Sequence, residues 1–125
     1  MAEKLNKKVL IVEDDEDFIS ILKIKFESEG FSVITAKDGE NGIETAQQEK
    51  PDLILSDVLL PGTNGIEMAK KIEEANKDAI IIFLTNLTDQ EYTEEIKKMG
   101  CDCLVKSDLK ISDIVEKVKS KLGLK

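Results

Sequence analysis

An α/β domain built on a parallel sheet with helices on both faces is the fold class this sequence predicts. Two observations carry it. Five short apolar runs alternate with amphipathic stretches of helical period along the 125 residues, the pattern of strands buried on both faces and joined by crossover helices. Gly30, Gly100 and Pro51 fall where those stretches should stop or hand over.

The elements follow in order. VLIV (Val9 to Val12) reads as the first strand, followed by a helix whose Phe18, Ile21, Leu22 and Phe26 share one face and which ends at Gly30. FSVITA (Phe31 to Ala36) is the second strand, followed by a weaker helix from Asn41 to Glu49. After Pro51, LILS (Leu53 to Ser56) is the third strand; Ile66, Ala69 and Ile72 line the helix behind it. AIIIFL (Ala79 to Leu84) is the fourth, followed by a weaker helix from Gln90 to Met99 that Gly100 ends. CLV (Cys103 to Val105) is the fifth, and Ile111, Ile114, Val115, Val118 and Leu122 form the stripe of the last helix. No repeat, linker or low-complexity segment interrupts the series, so residues 1–125 are expected to form one domain with a core over about residues 8–122.

Composition excludes several function classes. A chain of this length buries roughly 65 to 70% of the surface its unfolded form exposes, enough for a single core. The net charge of -8 and a pI near 4.7 argue against direct nucleic-acid binding and against docking on anionic lipid, which need basic surface; protein partners are expected. No apolar run reaches transmembrane length and no signal-peptide core follows the N-terminus, so membrane insertion is not expected and the predicted location is cytoplasmic. Cys101 and Cys103, the only cysteines, make no disulfide framework and are read as core filling. The chain contains no histidine. Imidazole-based triads and phosphohistidine carriers are therefore excluded, and a phosphoryl donor histidine must come from another protein.

The strand ends carry the chemistry. In open α/β sheets ligands bind beyond the carboxyl ends of the strands. The first run ends in EDDED, the third in Asp57, the fourth in Thr85 and the fifth in Lys106, so one sheet edge gathers Glu13, Asp14, Asp57, Thr85 and Lys106. Asp57 stands among apolar neighbours in LILSDVLLPG, where an unpaired charge costs several kcal/mol unless it is paired, hydrated or bound to metal. Three carboxylates repel one another and call for a cation, and oxygen-only ligands on loops suit Mg2+. Lysine and a threonine hydroxyl complete a cradle for a phosphoryl group. Asp15, Glu16 and Asp17 are read instead as first-turn acids that favour the helix dipole.

With VEDD at the first strand end, SDVLLPG around the acid, FLTN at the fourth strand end and LVKS at the fifth, the sequence resembles the receiver domains of two-component response regulators over nearly its whole length, and among them the chemotaxis-regulator type. The resemblance implies a flavodoxin-like (βα)5 fold with strand order 2-1-3-4-5 and phosphorylation of Asp57 as an acyl phosphate. It implies that Asp14 binds Mg2+ directly, that Glu13 acts mainly through water, that the backbone carbonyl of Leu59 is a further ligand, and that Thr85 and Lys106 contact the phosphoryl oxygens. The expected donor is a sensor histidine kinase or a histidine phosphotransfer protein, and the expected output is a switched surface for a downstream protein target, in a stand-alone receiver that is not a separate metabolic enzyme. A phosphatase of the haloacid dehalogenase type would need a second acid two residues after the nucleophile, where Leu59 stands.

Five positions depart from the family pattern. Ser107 follows Lys106 where proline is usual; a cis bond without proline would cost about 2.5 to 4 kcal/mol, so the next loop should take another shape. Cys103 replaces the aromatic residue that reports phosphorylation, and a small thiol is a poor steric lever. Asn86 replaces a small residue after Thr85 and narrows access for the donor. Leu59 and Leu87 occupy the two flanking positions that often carry polar side chains, and are expected to slow attack by water on the acyl phosphate. Cys103, Asn86 and Ser107 also fit an alternative, a phosphorylation-independent interaction module with a receiver fold.

Overall fold

The computed structural model describes residues 4–86 and 90–124. Five strands, β1 (Lys8–Val12), β2 (Ser32–Ala36), β3 (Leu53–Asp57), β4 (Ile81–Thr85) and β5 (Asp102–Val105), alternate with α1 (Glu16–Ser28), α2 (Gly39–Glu49), α3 (Gly65–Ala75), α4 (Gln90–Lys98) and α5 (Ile111–Lys121). All strand pairs are parallel and the order is β2-β1-β3-β4-β5, as the resemblance implies.

Alternation along the strands splits the core in two. Leu10, Val12, Ile54, Ile81 and Phe83 point to the face covered by Ile66, Met68, Ala69 and Ile72 of α3 and Ile96 of α4. Val9, Ile11, Leu53, Leu55, Ile82 and Leu84 point to the face covered by α1 and α5 through Leu22, Phe26, Ile114, Val115 and Val118. Burial on both sides explains why these strands read as unbroken apolar runs. Phe83 is fully buried, so truncating it to alanine should cost about 3 to 5 kcal/mol.

The predicted elements all form, with shifted bounds. α2 starts at Gly39, two residues before the sequence reading, because Asp38 caps it by accepting from the Asn41 amide. Phe31 precedes β2 and packs edge-on against Phe26, ring centroids 5.3 Å apart. β4 begins at Ile81 rather than Ala79 and runs through Thr85, and β5 takes in Asp102. Gly30 and Gly100 do end helices, with φ of 100° and 75° that favour glycine.

One core assignment is corrected. Ile21 does not share the buried face of α1; it is 52% exposed, and Ile19 takes its place beside Leu22 and Phe26. Successive residues turn by about 100° around a helix, so a single stripe against the sheet accommodates Ile19, Leu22 and Phe26 and leaves Ile21 outside. Lys106–Asp108 forms a 3-10 turn, and no cis peptide bond occurs among the described residues.

Candidate functional site

Register brings the strand-end residues together. Val12 lies opposite Ser56, so Glu13, just past the end of β1, and Asp57, the last residue of β3, stand side by side. Asp57 is opposite Leu84 and Thr85 opposite Val105, which sets Thr85 one step beyond the acid and Lys106 at the end of the neighbouring strand. The Glu13 amide still donates to the Ala36 carbonyl at 3.0 Å, anchoring the turn into α1.

The carboxylates and the lysine meet directly. Glu13, Asp14 and Asp57 each offer an oxygen within 4.8 Å of the others. Asp57 Oδ1 accepts from the amides of Val58 at 2.7 Å and Leu59 at 3.3 Å, while Oδ2 accepts from Lys106 Nζ at 3.0 Å. Lys106 Nζ also donates to Glu13 Oε1 at 2.5 Å. Glu13 Oε2 accepts from the amides of Asp14 and Asp15, at 3.0 and 3.3 Å. Both oxygens of Glu13 are therefore engaged by protein, whereas Asp14 is exposed and its carboxylate accepts no hydrogen bond from a described residue.

Three carboxylates against one ammonium leave a formal charge of about -2, which matches a divalent cation. Glu13 registers the imbalance. Burial pushes its carboxyl above the ordinary value of 4.5 and repulsion from Asp57 adds to this, against the opposing hydrogen bond from Lys106. Burial works against the charge of Lys106, yet hydrogen bonds from Lys106 to Glu13 and Asp57 outweigh it and raise its pKa. The oxygen donors and missing charge thus fit Mg2+.

The other predicted positions separate in role. Thr85 is buried at the end of β4, and Asn86 beside it is exposed. Leu59 is 49% exposed at the rim, standing out from the surface rather than capping the core. Leu87 lies outside the described residues. Cys103 is half-buried and packs with Cys101 against the core on the α3 and α4 side. Burial raises both thiols, Cys101 to about 11, which leaves them protonated at neutral pH and agrees with core filling.

Sequence reasoning missed three residues that shape this site. Phe18, read only as core, lies beneath Lys106, with Nζ 4.6 Å from the ring centroid, and the π face favours the ammonium. Gly65 packs so closely that a Cβ would lie 2.1 Å from the Asp57 carbonyl oxygen, and Gly39 approaches Thr63 in the same way. Glycine at the start of a helix, where conformation does not demand it, was the available signal for the last two; nothing in the sequence marked Phe18.

A family model for the response regulator receiver domain matches residues 9–119. The chain belongs to the response regulator receiver family. This receiver domain is 30% identical over 121 residues to the polar-differentiation response regulator DivK of Brucella abortus, covering 95% of this chain and 98% of DivK. It is 35% identical to the alkaline phosphatase synthesis transcriptional regulatory protein PhoP of Bacillus subtilis over 93% of this chain, but spans only about half of PhoP, 48%. Among solved structures, a CheY-like receiver domain protein from Methanospirillum hungatei superposes with a TM-score of 0.88 at 29% identity, over 94% of each chain. The response regulator TrrA from Thermotoga maritima, solved in complex with Mg(2+)-BeF, gives 0.82 at 32% identity, over 93% of this receiver domain and 98% of TrrA. Phosphorylation on aspartate and Mg2+ dependence are typical of the family. No helix among the described residues is long and apolar enough to cross a membrane.

Proposed function

We propose that Asp57 is the phosphoacceptor, that a phosphohistidine on a sensor histidine kinase or a histidine phosphotransfer protein is the donor, and that Glu13, Asp14, Asp57 and the Leu59 carbonyl hold Mg2+. One observation carries this reading. The Asp57 carboxylate is fixed by two backbone amides and by Lys106, beside two further acids whose charge Lys106 alone does not balance. Asp14, whose carboxylate has no donor among the described residues, suits direct ligation, and Glu13, engaged on both oxygens, suits contact through water.

Transfer proceeds in line. A carboxylate oxygen of Asp57 attacks phosphorus, the new O–P bond forms as the P–N bond to the donor breaks, and the electron pair leaves with the imidazole nitrogen. Bound Mg2+ supplies neutralisation of the charge on the phosphoryl oxygens. Lys106 passes its ammonium from the Asp57 carboxylate to a phosphoryl oxygen, and the Thr85 hydroxyl donates to another. Drawing these two inward biases the face of α4, β5 and α5 toward a state that binds a downstream protein. Cys103, on that face, provides a smaller lever than an aromatic ring would, and Asn86 narrows the donor's approach. The domain acts as a switch that takes part in its own phosphorylation and dephosphorylation rather than as a metabolic enzyme.

Incubation with acetyl phosphate and Mg2+, followed by intact mass, tests the reading. One phosphoryl group should appear on the wild type and none on Asp57→Asn. Absence of the adduct with both acetyl phosphate and a phosphorylated histidine phosphotransfer protein would favour the phosphorylation-independent module.

A further inference from the structure

Gly39 and Gly65 begin α2 and α3, and neither takes a positive φ. Alanine would serve a helix better at both places, so backbone conformation does not explain the glycines. Close approach does. A Cβ on Gly65 would lie 2.1 Å from the carbonyl oxygen of Asp57 and 3.1 Å from Cα of Val58. A Cβ on Gly39 would lie 2.2 Å from the carbonyl oxygen of Thr63 and 3.0 Å from its Cβ. Gly62, in the same loop, is the opposite case. Its φ is 72° and nothing lies within 4 Å of a Cβ there, so it serves the turn and not the packing.

The segment from Asp57 to Gly65 is thus gripped at both ends. Its start rests on Gly65, whose amide donates to the Val58 carbonyl at 2.8 Å, and its end rests on Gly39. Between them Leu59 N–H reaches Asp57 Oδ1. The α2 side of the contact is the firmer one. Asp38 caps the helix by accepting from the Asn41 backbone amide at 2.8 Å and its side-chain amide at 2.9 Å, and Gly42 one turn on packs against Met68 and Val12, whereas Leu59, Pro61 and Gly62 face solvent. An added atom at position 39 therefore displaces the loop.

We propose that Gly39 is a positioning residue for the phosphoacceptor loop: by letting the first turn of α2 back directly onto the Thr63 carbonyl, it sets where the Leu59 backbone and the Asp57 carboxylate face the cation. This rests on the metal reading given above. Gly42→Ala is the matched control, because its Cβ would meet Met68 Sδ at 2.6 Å and the Val12 methyls, disturbing the core on the same helix without touching the loop.

The test combines calorimetric titration with Mg2+, amide NMR spectra of the metal-free protein and melting curves for wild type, Gly39→Ala, Gly42→Ala and Thr63→Gly. Gly39→Ala should weaken Mg2+ by about tenfold, the lower end of what supporting groups around a metal contribute, and should shift the amides of residues 57–64 before any metal is added. Gly42→Ala should lower the melting temperature yet leave both readouts unchanged. Thr63→Gly loosens the same contact from the loop side without adding an atom, so it carries the test if Gly39→Ala does not fold; it should weaken Mg2+ in the same direction. Wild-type affinity and unmoved loop amides in Gly39→Ala, or in Thr63→Gly where only that variant folds, would overturn the proposal, as would equal weakening in Gly42→Ala. A wild type that takes up no Mg2+ would sink the metal reading instead, and the metal-free loop amides would then decide the role of Gly39 by themselves.

Discussion

At the carboxyl edge of the sheet three carboxylates face the half-buried ammonium of Lys106, whereas at the opposite edge one carboxylate, Asp102, faces two lysines, Lys121 at 2.9 Å and Lys117 at 3.7 Å. Both are acid and lysine clusters at strand ends, yet their acids shift in opposite directions. Burial pushes the Glu13 carboxyl up, while the hydrogen bond with Lys121 holds Asp102 below its ordinary value of 3.8. An acid held low already has its counter-charge and belongs to the scaffold; an acid pushed up beside its only cation marks a place with charge still to be supplied.

The pH signs differ accordingly. Glu13 contributes stability that is full below 4.5 and is lost as pH rises through its raised value. Asp102 contributes stability present above 3.8 and lost as pH falls through its lowered value. Replacing the lysines should expose the contrast most strongly. Lys106→Met leaves Glu13 buried without its partner and should cost about 3 kcal/mol near neutral pH, with the deficit shrinking as acid protonates Glu13. Lys121→Met, at a partly exposed pair where Asp102 keeps Lys117, should cost at most about 1 kcal/mol. Equal losses in urea unfolding would erase the distinction between the edges.

Mg2+ gives the next largest effect. At a hundred times its dissociation constant a ligand specific to the native state adds about 2.7 kcal/mol, visible as a melting point several degrees higher. Lys121→Met should keep that rise and Asp57→Ala should lose it; a rise of the same size in Asp57→Ala would place the cation elsewhere.

The carboxyl edge is also the one rimmed by an exposed leucine. Leu59 offers no hydrogen bond to orient a water toward phosphorus, so the acyl phosphate should be long-lived and slow to form from small donors. Leu59→Asn, together with Leu87→Glu, should speed decay after donor removal by about tenfold, or about 1.4 kcal/mol in barrier. Unchanged decay in the single and double variants would show that these side chains do not govern water access.

The smallest effect has the sharpest sign. Asp14→Asn removes one of three repelling charges and should raise the melting temperature of the metal-free protein, whereas Asp102→Asn removes a partner of two lysines and should lower it, each by about 1 kcal/mol or less. Shifts of the same sign would contradict the proposed difference in charge balance.

Local patterns along the chain were enough to specify the five strands, their alternation with helices and the residues at their carboxyl ends. These are local properties: an apolar run reports burial, and in a parallel sheet every run ends at the same edge, so Glu13, Asp14, Asp57, Thr85 and Lys106 were legible as one group. Strand order was available only through resemblance to a family. Tertiary structure alone decided which atoms meet. Lys106 lies 93 residues from Glu13, and its choice of Glu13 and Asp57 over Asp14 depends on strand register and on the Phe18 ring beneath it. The face of α1 was likewise settled by packing, since Ile19 and Ile21 are chemically the same residue and only the sheet distinguishes them. Gly39 and Gly65 stayed hidden for a related reason. What they contribute is the absence of an atom where two distant backbones touch, and a sequence records the missing side chain without recording what comes close to it.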